Sequence, residues 1–471
     1  MIERIFHLAE NKTTLRTECL AGLATFLTMA YIIFVQPAVL SGVMFGINTG
    51  MDFNAVTAAT CVSSALACLI MGFYARYPIA LAPGMGENFF FVLSAIPAAA
   101  AAGHPHPWQA ALGAVFIAGL LFFVLYAFGV RERLFDAISP SMKLSIAAGI
   151  GLFIAFIGFQ NTGLIIKSPG TAVQLNTHFL SPDLLIFFFG LLLTAALHVR
   201  KVPGAILWGI ASTTVLAAAL RLFLPYLSPA IVQSRVVAES MLMTRFEIAA
   251  KVVSAPPSMS PTLMKMDLHG ALSPALWPLI VIFLFMAVFD TIGTLVGVGE
   301  QAGLIKDNKL PRARQAMLAD QFGILIGAVC GTSTITCYIE SAVGVEAGGR
   351  TGFVAVLVAL FFLLALFFSP LIAMVGSYPP ITAPALVLVG AMMMQSAAKI
   401  EWSDFSESVP AFLVLAGIPL AYSIADGLAL GFIAYPVIKL FSGRGREVNC
   451  LMYVLAVVLA LYFVFVRSQM G

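Results

Sequence analysis

Ala82-Pro83-Gly84-Met85-Gly86-Glu87-Asn88-Phe89-Phe90-Phe91 lies in a chain otherwise built from long apolar runs. A proline and paired glycines inside such a run cannot sustain a regular helix. A second stretch, Gly331-Thr332-Ser333-Thr334-Ile335-Thr336-Cys337-Tyr338-Ile339-Glu340, interrupts another run, and its β-branched residues favour extended backbone. Non-helical backbone at membrane depth is tolerated only where it is buried in protein or lines a wet cavity. Two broken segments in matching halves of a chain point to a substrate site near the bilayer midplane. The plainer alternative is that the glycines serve close helix packing, which leaves the polar residues beside them unexplained.

Composition sets the solvent. Of 471 residues, 61% are hydrophobic and 10% charged, against roughly 25% charged in soluble domains. A water-soluble fold of this length has too little interior to hide that much apolar surface. The chain is therefore a polytopic membrane protein, which excludes soluble enzymes, nucleic-acid binders and secreted disulfide scaffolds. The net charge of +3 is too small and dispersed to imply a polyanionic partner. The six cysteines (Cys19, Cys61, Cys68, Cys330, Cys337, Cys450) have no CxxC spacing and read as small core residues.

A helix needs about 20 apolar residues to cross the hydrocarbon core. That criterion places spans near 19–42, 54–74, 78–97, 108–129, 142–160, 182–199 and 203–224, then near 274–298, 315–330, 333–348, 352–376, 380–397, 409–424 and 427–441. A further apolar segment, 450–466, is either an extra span or an interfacial helix. The arm 1–18 lacks the pattern of a signal peptide; Ile2, Ile5, Phe6 and Ala9 at helical spacing suit an arm lying along the membrane surface. With a cytoplasmic N-terminus, Arg76, Arg131, Arg133, Lys143, Arg200, Lys201, Arg350, Lys439, Arg444 and Arg446 all fall on the cytoplasmic side, and only Lys167 occupies a short opposite loop. The polar stretch 225–272 cuts fourteen spans into two halves of seven. Seven is odd, so the second half enters from the opposite side, as in inverted-repeat secondary transporters.

Acidic groups accompany the breaks. Glu87 and Asn88 lie in the first and Glu340 in the second, while Asp290 stands in Phe289-Asp290-Thr291-Ile292-Gly293-Thr294 of the eighth span. A carboxylate at the bilayer centre costs about 2.5–3.5 kcal/mol on insertion scales, so it needs a partner or a purpose. Neither Asp290 nor Glu340 has a basic residue in its own span; the nearest, Arg350, belongs about three turns further along. Such acids suit both the N–H donors of a neutral ligand and proton uptake; the bland reading is a neutral acid bonded to backbone, which applies most to Glu87. Phe89 and Tyr338 offer rings on which a planar ligand could stack, or else simply pack. Gly84-Met85-Gly86 lacks the basic residue of a phosphate loop, His104 and His106 have no third ligand nearby, and Lys306, Lys309, Arg312 and Arg314 read as an orientation signal. No cofactor or metal motif emerges.

These residues, with Thr25-Phe26-Leu27-Thr28-Met29-Ala30-Tyr31 and the following Gln36-Pro37, Gly348-Gly349-Arg350-Thr351-Gly352 and Thr382-Ala383-Pro384-Ala385-Leu386, resemble the adenine/guanine/hypoxanthine permeases. These form the azaguanine-sensitive branch of the nucleobase/ascorbate (xanthine/uracil) transporter family. The resemblance spans nearly the whole chain. It implies an all-α protein of about fourteen spans with a core domain (19–129 and 274–376), a gate domain (142–224 and 380–441) and short antiparallel strands in spans 3 and 10. By resemblance, Asn88, Asp290 and Glu340 bind a purine with Tyr338 and Phe89 close by; Glu87, Ile339 and Ser341 are further candidates, and Glu340 or Asp290 carries the coupled proton. Elevator-type, proton-coupled import by a homodimer in the cell membrane is implied as well. Three positions depart from the pattern: Ala287 stands where relatives carry a second acid, Glu87 where the position is usually apolar, and Gln36 where Asn is usual. The competing readings are a uracil- or xanthine-selective permease, an anion carrier or channel on the same fold, and a membrane-embedded enzyme or receptor.

Overall fold

The structure is a computed structural model describing residues 2–127, 138–168, 170–226, 229–301, 311–461 and 463–464. Arg131, Arg133, Lys306, Lys309 and the end of the expected 450–466 segment lie outside the described residues.

Most of the chain is α-helical. Among the described residues nine helices are long and apolar enough to cross a membrane, from Leu15–Leu40 to Ile424–Phe441, and four shorter apolar helices accompany them. Their starts follow from local chemistry. Ser139 and Ser181 cap helices whose first residue is proline, Pro140 and Pro182, accepting from Met142 N and Leu184 N at 3.3 Å. Proline is preorganised for the first turn and its missing N–H is no loss there, while the serine oxygen satisfies an orphan donor.

The third and tenth expected spans are the exceptions. The third is β1 (Leu81–Pro83) followed by Met85–Phe90 and a continuation to Ala101; the tenth carries a strand, Ile335–Cys337, followed by Ser341–Glu346. A peripheral hairpin of β2 (Ile165–Ser168) and β3 (Ala172–Leu175) precedes that strand, which is therefore β4.

The helices form two contact groups. In one, Leu15–Met29, Phe53–Ile70, Pro107–Ala127, Trp277–Gln301, Ala313–Cys330 and Phe353–Ala365 pack on one another. In the other, Pro140–Asn161 packs on Pro379–Met393 and Phe405–Leu420, Pro182–Val199 on Ala205–Phe223, and Ile424–Phe441 on Phe405–Leu420. Cys450–Leu461 lies against Ile424–Phe441.

The N-terminal arm is helical over Ile2–Phe6 and packs on the first group. Phe6 is buried, its ring 5.6 Å from Phe73 and 5.4 Å from Phe353, so the arm closes one end of the first group. The 225–272 stretch is likewise more than a loop. It contains short helices, Met241–Thr244 and Leu268–Ala271 among them, and buries Leu242 and Phe246.

Candidate functional site

The two breaks meet. β1 and β4 pair antiparallel with Leu81 opposite Cys337, Ala82 opposite Thr336 and Pro83 opposite Ile335. Gly84 N donates to Thr334 O and Tyr338 N to Ala80 O, each at 3.0 Å, extending the ladder at both ends. Pairing satisfies the backbone groups that the broken helices leave open, an obligation in an apolar medium. The Tyr338 hydroxyl donates to Pro83 O at 2.6 Å and fastens one break to the other. The Glu87 side chain folds back over Gly84, where an added Cβ would stand 2.2 Å from Glu87 Oε2.

Four acids surround this pairing. Glu340 is nearly buried and its Oε1 accepts from the Tyr31 hydroxyl at 2.9 Å. Asp290 is exposed between buried neighbours Val288 and Thr291. It interacts electrostatically with Glu87, Asp320 and Glu340 and faces the Thr336 hydroxyl. Asp290 and Glu340 are thus brought to one place, together with Glu87. Among the described residues, none of the four acids forms an ion pair. Arg350 does not reach them: its guanidinium donates to Val345 O and Gly349 O, and its backbone N to Glu18 Oε1.

Asp320 belongs to the site although sequence reasoning passed over it. It is 0% exposed on the Ala313–Cys330 helix. One carboxylate oxygen accepts from Cys337 N at 2.8 Å and the other from the Thr291 hydroxyl. It therefore holds β4 and the helix carrying Asp290 in fixed relation. Asp320 is, like Asp290, a charge inside a span, but the polar residues Arg312, Arg314 and Gln321 near it blunt that signal.

A polar chain links the first span to both breaks. Gln36 Nε2 donates to Thr332 Oγ1 at 2.8 Å and Ser333 Oγ at 3.3 Å, and the Ser333 hydroxyl donates to Asn88 Oδ1. Among the described residues, Gln36 Oε1, Asn88 Nδ2 and Thr334 Oγ1 are buried with no hydrogen-bond partner. Each such atom costs about 1–3 kcal/mol unless a ligand or water completes it, and their concentration around β4 marks where polar ligand groups would be rewarded.

The remaining candidates separate. Tyr338 is buried at the β1–β4 junction and Ile339, 47% exposed, follows it. Ser341 Oγ accepts from Ala80 N at 3.0 Å and so supports β1. Phe89 is 0% exposed, with edge-on contacts to Phe45 (5.9 Å) and Phe153 (6.3 Å), so its ring packs rather than lining open space.

Comparison with known proteins agrees with this architecture. Residues 16–430 match the model of the permease family Xan_ur_permease. The chain is 43% identical to the guanine/hypoxanthine permease PbuG of Bacillus subtilis (99% of this chain, 100% of that one) and 39% identical to the adenine permease AdeP of Escherichia coli (100% and 97%). It is 46% identical to a putative permease of Methanocaldococcus jannaschii, over 99% of both chains. Among solved structures, the transmembrane domain of the cyanobacterial bicarbonate transporter BicA superposes with a TM-score of 0.61 at 12% identity, covering 88% of this chain and 97% of that one, a likeness of fold alone. A chain with paired broken spans, many apolar helices and this match along most of its length is a multi-pass transmembrane transporter and belongs to the Xan_ur_permease family of permeases.

Proposed function

We propose that the protein imports purine nucleobases (hypoxanthine, guanine or adenine) across the cell membrane by proton symport. The observation that carries this reading is the convergence of Asn88, Asp290 and Glu340 on the β1–β4 pairing, without a basic partner among the described residues, in a chain 39–43% identical to permeases named for purines. A purine is flat, uncharged and edged with N–H donors and ring acceptors. Asp290 and the Glu340 carboxyl accept from ring N–H or amine groups, and Asn88 Nδ2, without a partner among the described residues, donates to a ring nitrogen or carbonyl. Tyr338 closes the site beside the base.

A proton taken up by Glu340 or Asp290 offsets the cost of burying charge with the ligand. Coupling requires each carrier state to differ in affinity for the loaded and empty site. The two contact groups act as core and gate, the core with the site sliding against the gate in an elevator-like movement, in a homodimer with the N-terminus in the cytoplasm. An anion carrier on the same fold is disfavoured: acids face the breaks, and anion sites there rely on helix dipoles and basic groups.

The test is uptake of radiolabelled hypoxanthine, guanine and adenine, with and without a protonophore. Saturable uptake abolished by the protonophore and by Asp290→Ala or Glu340→Ala is expected. Undiminished uptake by both variants removes the site.

A further inference from the structure

The stretch from Ser240 to Asp267 runs across the end of the molecule opposite the N-terminal arm. It meets Phe367 near the end of the helix run whose start, Phe353, receives the arm. Its two halves are fastened to different helix groups. In the first half, Met241 N and Leu242 N donate to the two oxygens of Asp183 at 2.8 and 2.9 Å, and the Tyr378 hydroxyl joins the same carboxylate at 2.6 Å. The buried Phe246 ring then packs 5.2 Å from Tyr378. Asp183 and Tyr378 open helices of the gate group.

The second half is bound to the core group. Ser254 N donates to Phe367 O at 2.9 Å and Ser254 Oγ bonds Ser369 Oγ at 2.9 Å. Thr262 Oγ1 donates to Cys330 O at 3.1 Å, Met264 N to Val329 O at 2.7 Å and Asp267 N to Gln109 O at 2.9 Å. Val329 and Cys330 end the helix that leads into the second break, and they offer carbonyls without intrahelical partners. Thr262 lies directly on Gly331, whose φ is +88° and where a Cβ would stand 2.3 Å from Thr262 Cβ. Glycine at this position admits both the left-handed turn and the crossing chain.

The geometry points to a strap, 240–267, that joins gate to core over the second break and sets how far the core travels. This rests on the two-body transport reading above. Between the anchors Phe246 and Ser254, one further hydrogen bond holds the chain among the described residues, Ala249 N to the Met374 sulfur at 3.3 Å, a weak acceptor. Ile248, Val252 and Val253 are exposed. Eight Cα steps from 246 to 254 reach at most about 26–29 Å, and removing three leaves about 17 Å. Both anchors therefore stay in place during movement only while this slack suffices.

The test removes residues 251–253 from the full chain in proteoliposomes. Maximal purine uptake falls tenfold or more while the purine Kd stays within twofold, and Asp183→Asn in the shortened chain restores uptake by releasing the gate anchor. Inserting Gly-Ser-Gly after Ala250 leaves uptake unchanged. Wild-type uptake by the shortened chain, or failure of Asp183→Asn to rescue it, overturns the strap. A second readout needs no purine and no shortening: in a cysteine-free chain, Ile339→Cys is labelled with an impermeant maleimide from each side. Asp183→Asn shifts the ratio of labelling from the two sides threefold or more, and an unchanged ratio refutes the strap. Absence of purine uptake by the parent chain, with the labelling shift present, sinks the substrate reading alone.

Discussion

Replacing Tyr31 by Phe tests the site with a single oxygen atom. The Tyr31 hydroxyl is buried and donates to Glu340 Oε1 at 2.9 Å, and among the described residues no other side chain hydrogen-bonds that carboxyl. Phe keeps the ring and its packing. What disappears is the side-chain donor that helps to orient the carboxyl toward the site. A hydrogen bond to a charged group contributes about 1.5–3 kcal/mol, and each 1.4 kcal/mol is tenfold. The loss expected in kcat/KM for the transported purine is therefore about 10- to 150-fold. Uptake is measured in cells lacking their own purine permeases, across pH 5–8, with membrane levels of the two chains matched by immunoblot. A kcat/KM within twofold of the parent at every pH would show that Glu340 needs no such anchor, and the account of the site would fail.

Asp320→Ala strands the buried Cys337 N, while the Thr291 hydroxyl keeps Ala287 O as an acceptor; the protein should be destabilised by about 1–3 kcal/mol, read as a lower melting temperature in detergent, whereas Asp320→Asn keeps one acceptor and loses less. Gly331→Ala forces an L-residue into φ +88° against Thr262, a backbone penalty of roughly 1–2 kcal/mol before any clash; an unchanged melting temperature would contradict the crossing of chain at that point. At the far end of the gate group, Arg444 bonds Asp404 and Glu447, holding Asp404 below the usual carboxylate range and Glu447 down at about 2. Depressed carboxylates stabilise the fold above their ordinary pKa near 4 and lose that contribution as pH falls toward 2. The melting-temperature gap between the parent and Arg444→Ala should thus be full at pH 6, shrink below about pH 4 and go on shrinking as pH falls through 2.

The residues of the site were legible to different degrees. Asn88, Asp290 and Glu340 announce themselves because a charge or amide in an apolar run costs free energy wherever the run folds. Asp320 obeys the same rule, yet beside Gln321 and downstream of Arg312 and Arg314 it passes for the polar entry of a span. Tyr31 and Gln36 carry no local signal: their partners Glu340 and Thr332 are 309 and 296 residues away. Phe89 misleads in the other direction, since an aromatic near a break reveals neither which way its ring faces nor that Phe45 and Phe153 will cover it.

By itself, then, the sequence determined the solvent, the membrane-crossing segments and the two places where helix gives way, because transfer free energy and helix propensity belong to short stretches of residues. Only the tertiary structure decided that the breaks pair Leu81 with Cys337, that Asp320 bridges β4 to the Asp290 helix, and that 240–267 ties one helix group to the other. Hydrogen bonds act over about 3 Å, so which donor finds which acceptor depends on the register between distant segments, and that register exists only once the helices have packed.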